Sequence, residues 1–135
     1  MVASVIGSSR VVRYLLRQGA GVSVADSDGY TALHHSVHHK HLGVSKDLIE
    51  AGADLEARPG GVYDTLLHVA ATKGFCQGMV VLIDAGANVD SRLDDGATPL
   101  YVAAKDGRLE AVKVLLRANA NPLLSAYGSL PLETV

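Results

Sequence analysis

The chain is 135 residues long, 48% hydrophobic and 4% aromatic, with no tryptophan and with 12 basic against 14 acidic residues for a formal charge of −2. That composition supports a continuous core and excludes a disordered tail; the scattered charge lacks the basic block that would neutralise a phosphate backbone, so nucleic acid is not an expected partner. A core so poor in aromatics has to be filled by leucine, valine, isoleucine and alanine at close helix–helix approach. Cys76 is the single cysteine and cannot form an internal disulfide, no Asn-x-Ser/Thr sequon occurs, and Met1 to Gly7 lacks the basic start and long apolar run of a signal peptide. Charges or glycines interrupt every hydrophobic stretch before the roughly 18 residues that a membrane-spanning helix needs. These features predict a soluble intracellular protein, in cytoplasm or nucleus, with no membrane insertion.

Taken in chain order, the sequence repeats itself. Gly19-Ala20 recurs as Gly52-Ala53, Gly86-Ala87 and, with one change, Asn119-Ala120, at spacings of 33, 34 and 33 residues. Thr31-Ala32-Leu33-His34 recurs as Thr65-Leu66-Leu67-His68, Thr98-Pro99-Leu100-Tyr101 and, degraded, Leu130-Pro131-Leu132-Glu133. Gly29, Gly96 and Gly128 precede this element, and apolar runs end at Leu15-Leu16, Leu48-Ile49, Leu82-Ile83 and Leu115-Leu116. Each threonine is placed to cap a short helix, and Pro99 and Pro131 suit a first helical turn. Leu33, Ser36 and Val37, like Leu100, Ala103 and Ala104, fall at i, i+3 and i+4 and predict a buried face. Gly74 and Gly107 then break the helix. A second helix is predicted over Leu109 to Ala118, with Val112, Leu115 and Leu116 as its apolar stripe, and an extended stretch such as Asn88 to Gly96 leads to the next unit as a projecting hairpin.

This pattern resembles the ankyrin repeat, whose period of about 33 residues and Thr-Pro-Leu-His-x-Ala signature match it. The resemblance covers essentially the whole chain, with a partial unit at 1–25, full units at 26–58, 59–92 and 93–125, and a stub at 126–135. It implies an all-α fold, an ankyrin-repeat solenoid of stacked helix-turn-helix units with projecting β-hairpin loops. In the first unit Ala3, Gly7, Val11-Val12, Leu15-Leu16 and Gly19 reproduce both helices without a hairpin. A chain that starts and stops inside a unit reads as either a fragment of a longer array or a small protein with atypical caps, with the fragment favoured. Two departures stand out. Ser45 and Asp47 occupy second-helix positions that the family usually makes apolar, which predicts loose packing or a polar neighbour. Arg58 to Asp64 carries one extra residue and the pair Gly60-Gly61, so a longer, more mobile tip is expected there.

Signatures of catalysis are missing, and neither an enzymatic activity nor a cofactor is expected. No G-x-S-x-G, phosphate loop or H-E-x-x-H occurs, and Gly19-Ala20-Gly21 has Val24 where a dinucleotide fingerprint needs its third glycine. Cys76 starts a second helix and reads as a packing residue rather than a nucleophile paired with His68. Five of the six histidines lie between His34 and His41. His34 with His38 and His35 with His39 have the i, i+4 spacing of helical metal ligands, but no nearby cysteine completes a site, so no metal is assigned. By resemblance His34 and His68 are the signature histidine that hydrogen-bonds hairpin backbone, and His41 starts a second helix. His35, His38 and His39 are left as a solvated or partner-contacting face, with a pH-sensitive contact and a metal site as equal lesser alternatives.

In ankyrin proteins the hairpin tips and exposed ends of first helices line a groove that commonly binds other proteins. The family's contact positions fall here on Ser27, Asp28, Tyr30, His38 and His39, on Val62, Tyr63, Thr72 and Lys73, and on Asp94, Asp95, Ala97, Lys105 and Asp106. Tyr30 and Tyr63 are the candidate anchors. Asp26, Asp28, Asp94 and Asp95 against Arg58, Arg92, Lys73 and Lys105 lean slightly towards a basic partner. The expected function is protein–protein interaction by a monomeric scaffold. The alternatives are a regulatory or targeting segment of a larger enzyme, and a plain structural spacer.

Overall fold

The computed structural model describes Gly7, residues 9–59 and residues 64–123. Outside these lie the first helix expected around Ala3, the Gly60 to Tyr63 tip and the stub from Ala126 with Gly128 and Pro131. The described helices are α1 (Ser9–Arg17), α2 (Ala32–His38), α3 (Leu42–Glu50), α4 (Leu66–Lys73), α5 (Cys76–Asp84), α6 (Pro99–Lys105) and α7 (Leu109–Arg117). Three helical pairs, α2–α3, α4–α5 and α6–α7, each pack internally. First helices stack as α2–α4–α6 and second helices as α1–α3–α5–α7, so the core is a sheet of side chains between two helical layers.

Helix starts follow directly from the threonines. Thr31, Thr65 and Thr98 stand in extended conformation, and their hydroxyls accept the backbone N–H of His34, His68 and Tyr101. Between the layers Leu33, Val37, Leu66, Met79, Leu82, Leu100 and Leu115 are buried, together with Ala70, Ala71 and Ala103. The small residues replace the aromatics that the composition lacks.

Several expectations need correction. On α7 it is Ala111 and Leu115 that bury, while Val112 is only half-buried and Leu116 is 40% exposed. One layer of neighbours covers only a narrow stripe, so adjacent leucines cannot both point inwards. Ala104 is likewise half-buried. The expected hairpin loops are present among the described residues as tight turns too short for a strand: the turn before α2 closes through Asp26 N–H to Tyr30 O at 2.8 Å and one isolated antiparallel bridge between Ala25 and Thr31, and the turn before α6 through Leu93 N–H to Ala97 O at 2.9 Å. The chain enters the next helix before the arms can exchange more bonds.

The polar residues of α3 are not loose. The Ser45 hydroxyl lies 2.9 Å from that of Ser36 on α2 and donates to the His41 carbonyl, and Asp47 accepts a hydrogen bond from Arg13 on α1. Ser45 and Asp47 therefore both find polar partners on neighbouring helices.

Candidate protein-binding groove

The turn before α2 is organised by Asp26. One carboxylate oxygen accepts the backbone N–H groups of Asp28 and Tyr30, each at 3.0 Å, and the other lies 3.0 Å from His35 Nε2. The hydrogen bond from His35 holds the Asp26 carboxyl below the usual carboxylate value, against partial desolvation and with help from the two backbone donors. Tyr30 is thereby fixed at the mouth of α2, with its ring edge-on to His34 and tilted against His35.

His34 and His68 tie one unit to the next turn. His34 Nε2 lies 3.0 Å from the Ala57 carbonyl, and His68 Nε2 lies 2.9 Å from that of Ala97. A carbonyl can only accept, so both rings carry their proton on Nε2. Nδ1 is then the acceptor, for the Thr31 N–H at 3.1 Å in one ring and for the Thr65 hydroxyl at 2.8 Å in the other. Burial pushes both imidazoles below their usual pKa, outweighing the opposing effect of the carbonyl contacts. These two are structural ties, as the resemblance implied.

Between the first helices of two successive units lies a cavity of about 510 Å³. Tyr30, His34, His35, His38 and His39 form one wall; Pro59, Asp64, Val69, Thr72 and Lys73 form the other. The His38 and His39 rings meet edge to face at 5.0 Å, and His39 stacks on His41 at 5.9 Å. Desolvation first, then the nearby Lys73, His39 and His35, keeps His38 below the ordinary imidazole value.

Of the residues expected to contact a partner, Tyr30, His38, His39, Thr72 and Lys73 line this cavity together. Ser27 and Asp28 are exposed on the turn beside it. Asp94, Lys105 and Asp106 are exposed on the following unit, and Asp95 is half-buried with its carboxylate accepting the Ala97 N–H. Ala97 is a correction: it is only 2% exposed and both its backbone groups are engaged, so its side chain offers no contact surface. Val62 and Tyr63 lie outside the described residues. The sequence reading missed Asp26 and His35 as a pair, and also Pro59, Asp64 and Val69. Spacing carried a signal for Val69, which stands three and four residues before Thr72 and Lys73 and so shares their helix face.

Among the described residues no cluster of three or more histidine, cysteine or acidic side chains converges as a metal site, and no helix is long and apolar enough to cross a membrane. Half-buried Cys76 opens α5 and does not line the cavity.

A family model described as ankyrin repeats (3 copies) matches residues 1–59 and 60–133. The chain belongs to the ankyrin repeat family. This ankyrin array is 37% identical over 128 residues to the tyrosine-protein kinase Shark of Drosophila melanogaster, covering 93% of the chain and 14% of that protein. It is 35% identical over 121 residues to the ankyrin repeat and KH domain-containing protein mask-1 of Caenorhabditis elegans, covering 89% of the chain and 5% of that protein. To the human ankyrin repeat and SOCS box protein 3 it is 36% identical over 97 residues, covering 70% of the chain and 19% of that protein. The ankyrin array thus spans a small part of each of these relatives.

Proposed function

We propose that this ankyrin array is a non-enzymatic, intracellular protein-interaction module that holds a partner protein on the concave face made by the turn tips and the ends of α2, α4 and α6. The observation that carries this reading is the open cavity in which Tyr30, His38, His39, Thr72 and Lys73 converge. A tyrosine anchor held in place by the Asp26 turn supplies rigid area with little entropy to lose on binding. Partner contacts at Ser27, Asp28, Asp94, Asp95, Lys105 and Asp106 extend the same face, and three units offer the roughly 800 Å² per side of a standard interface. Val62 and Tyr63 are kept as candidate contacts by their place in the repeat. The module is proposed to act as a monomer and to bind neither nucleic acid nor a cofactor or metal.

The test is a pull-down from cell lysate with the array as bait, against a Tyr30→Ala, Thr72→Arg double variant shown by circular dichroism to be folded. A protein retained by the parent and lost by the variant supports the groove; equal retention by both refutes it. A second reading, a regulatory or targeting segment of a larger multidomain enzyme, is favoured by the likeness to a tyrosine-protein kinase of which the array spans 14%. Catalytic motifs in the flanks of the full-length gene product would establish it, and further repeats alone would dismiss it.

A further inference from the structure

Lys73 closes α4 at one end of the cavity and is half-buried there. The ion pairs among the described residues are Arg13–Asp47, His35–Asp26 and Lys113–Glu110, and Lys73 takes part in none. Its neighbours are basic side chains. His38, the last residue of α2, and His39, its C-cap, line the same cavity, with His41 stacked on His39, and a Cβ built on Gly74 would lie 3.2 Å from the Arg108 guanidinium. The acids are elsewhere. Asp64 precedes the Thr65 cap at the opposite end of α4, about 12 Å away over eight helical residues, and Asp26 is already engaged by His35. Asp106, the C-cap of α6, is exposed and in no ion pair among the described residues. The remaining titratable groups on the walls are Tyr30 and the tied ring of His34.

We infer that this end of the cavity is a subsite for an acidic side chain, taking the carboxylate of an aspartate or glutamate from an extended partner segment between Lys73 and His38. The inference rests on the groove reading and adds the chemistry of its ligand. An ammonium on the cavity wall with no ion-pair partner among the described residues can give an incoming carboxylate a charge-assisted hydrogen bond. In an extended segment, side chains two residues apart point the same way and lie about 6.6 Å apart. An apolar residue two positions before the acid therefore reaches the Val69, Pro59 and Tyr30 part of the walls. Desolvation and the nearby Lys73 hold His38 below the ordinary imidazole value; an incoming carboxylate favours its charged form, so binding is coupled to proton uptake and affinity rises as pH falls from 7.5 to 6.0.

The experiment uses three amidated pentapeptides, acetyl-Gly-Leu-Ser-Xaa-Gly with glutamate, glutamine or lysine at Xaa, titrated into the labelled full chain at pH 6.0 and 7.5 by NMR. The expected result is movement of the Val69, Lys73, His38 and His39 resonances by the glutamate peptide, binding about fivefold or more tighter than the glutamine peptide at pH 6.0. That margin shrinks at pH 7.5, the His38 titration midpoint rises on saturation, and Lys73→Ala, checked for folding by circular dichroism, abolishes the difference between glutamate and glutamine at pH 7.5 and reduces it at pH 6.0. If the glutamine or lysine peptide moves the same resonances equally well, the acidic subsite is overturned while the groove reading stands. If no peptide moves them, the acidic subsite is overturned and the pull-down alone decides the groove reading.

Discussion

Arg13 Nε donates to Asp47 Oδ1 at 2.8 Å across one repeat, while the other Asp47 oxygen is buried with no hydrogen-bond partner among the described residues. The pair is lopsided, because the Asp47 side chain is 5% exposed and that of Arg13 is 60% exposed. Desolvation falls on the acid, and solvent screens the gain from the arginine. In the repeat register Asp47 is the counterpart of Val81 and Val114. We expect Asp47→Val to be neutral or stabilising by about 1 kcal/mol, and Arg13→Ala to destabilise by about 1–3 kcal/mol by leaving the buried carboxylate unpaired. Urea titration of both variants and the double variant checks the order; Asp47→Val falling below Arg13→Ala would show that the pair contributes net stability.

Lys40 has φ 59°, the left-handed conformation that Gly74 and Gly107 adopt at φ 67° and 70° one and two units later. A lysine held there carries a backbone strain of about 1 kcal/mol that glycine relieves, partly offset by the greater freedom of glycine in the unfolded chain. Lys40→Gly is expected to raise stability by about 0.5 kcal/mol, and Gly107→Ala to lower it by about 1 kcal/mol. Thermal melts of the two variants should shift in opposite directions.

Stability should also fall with acidification in a window set by His34 and His68. Both have pKa values lowered by burial from 6.5, so below pH 6.5 the unfolded chain binds protons that the folded chain refuses. Their contribution is therefore complete above pH 6.5 and lost as the pH falls towards the depressed folded values, at no more than about 1.4 kcal/mol per pH unit for each ring. Protonation would place a hydrogen on Nδ1, where the Thr31 N–H or the Thr65 hydroxyl already points. Urea midpoints measured at pH 7.5, 6.0 and 5.0 should decline, and His68→Gln should start lower and decline less. An unchanged slope in that variant would remove His68 from the account.

Periodic features were the readable ones. The threonine caps and the helix pairs follow from marks that recur every 33 or 34 residues, and Tyr30, His38, His39, Thr72 and Lys73 are contact positions implied by the family resemblance. Pairings between non-equivalent positions left no such trace. Asp26 meets His35 because the turn folds back over α2, and Arg13 meets Asp47 only once α1 and α3 are stacked. Pro59 and Asp64 flank the unit's extra residue, which shifts their register against the other turns. The outward turn of Leu116 depends on which neighbours cover α7, a property of the stack rather than of the segment.

Phe75 and Gly78 show two units filling the same space differently. A Cβ built on Gly78 would lie 2.3 Å from the ring of Phe75, which is buried. In the repeat register Gly78 stands where the neighbouring units have Val44 and Ala111, and Phe75 where they have His41 and Arg108. The large ring has taken the volume that the neighbours give to the later side chain. Gly78→Ala should thus destabilise by about 1–3 kcal/mol through overpacking, even though alanine is the better helix former. In a Phe75→His background, which copies the preceding unit, the same change should cost nothing or stabilise by up to about 1 kcal/mol. A double-mutant cycle by urea denaturation measures the coupling, and additive effects of the two substitutions would show that the ring and the missing Cβ do not compete for one space.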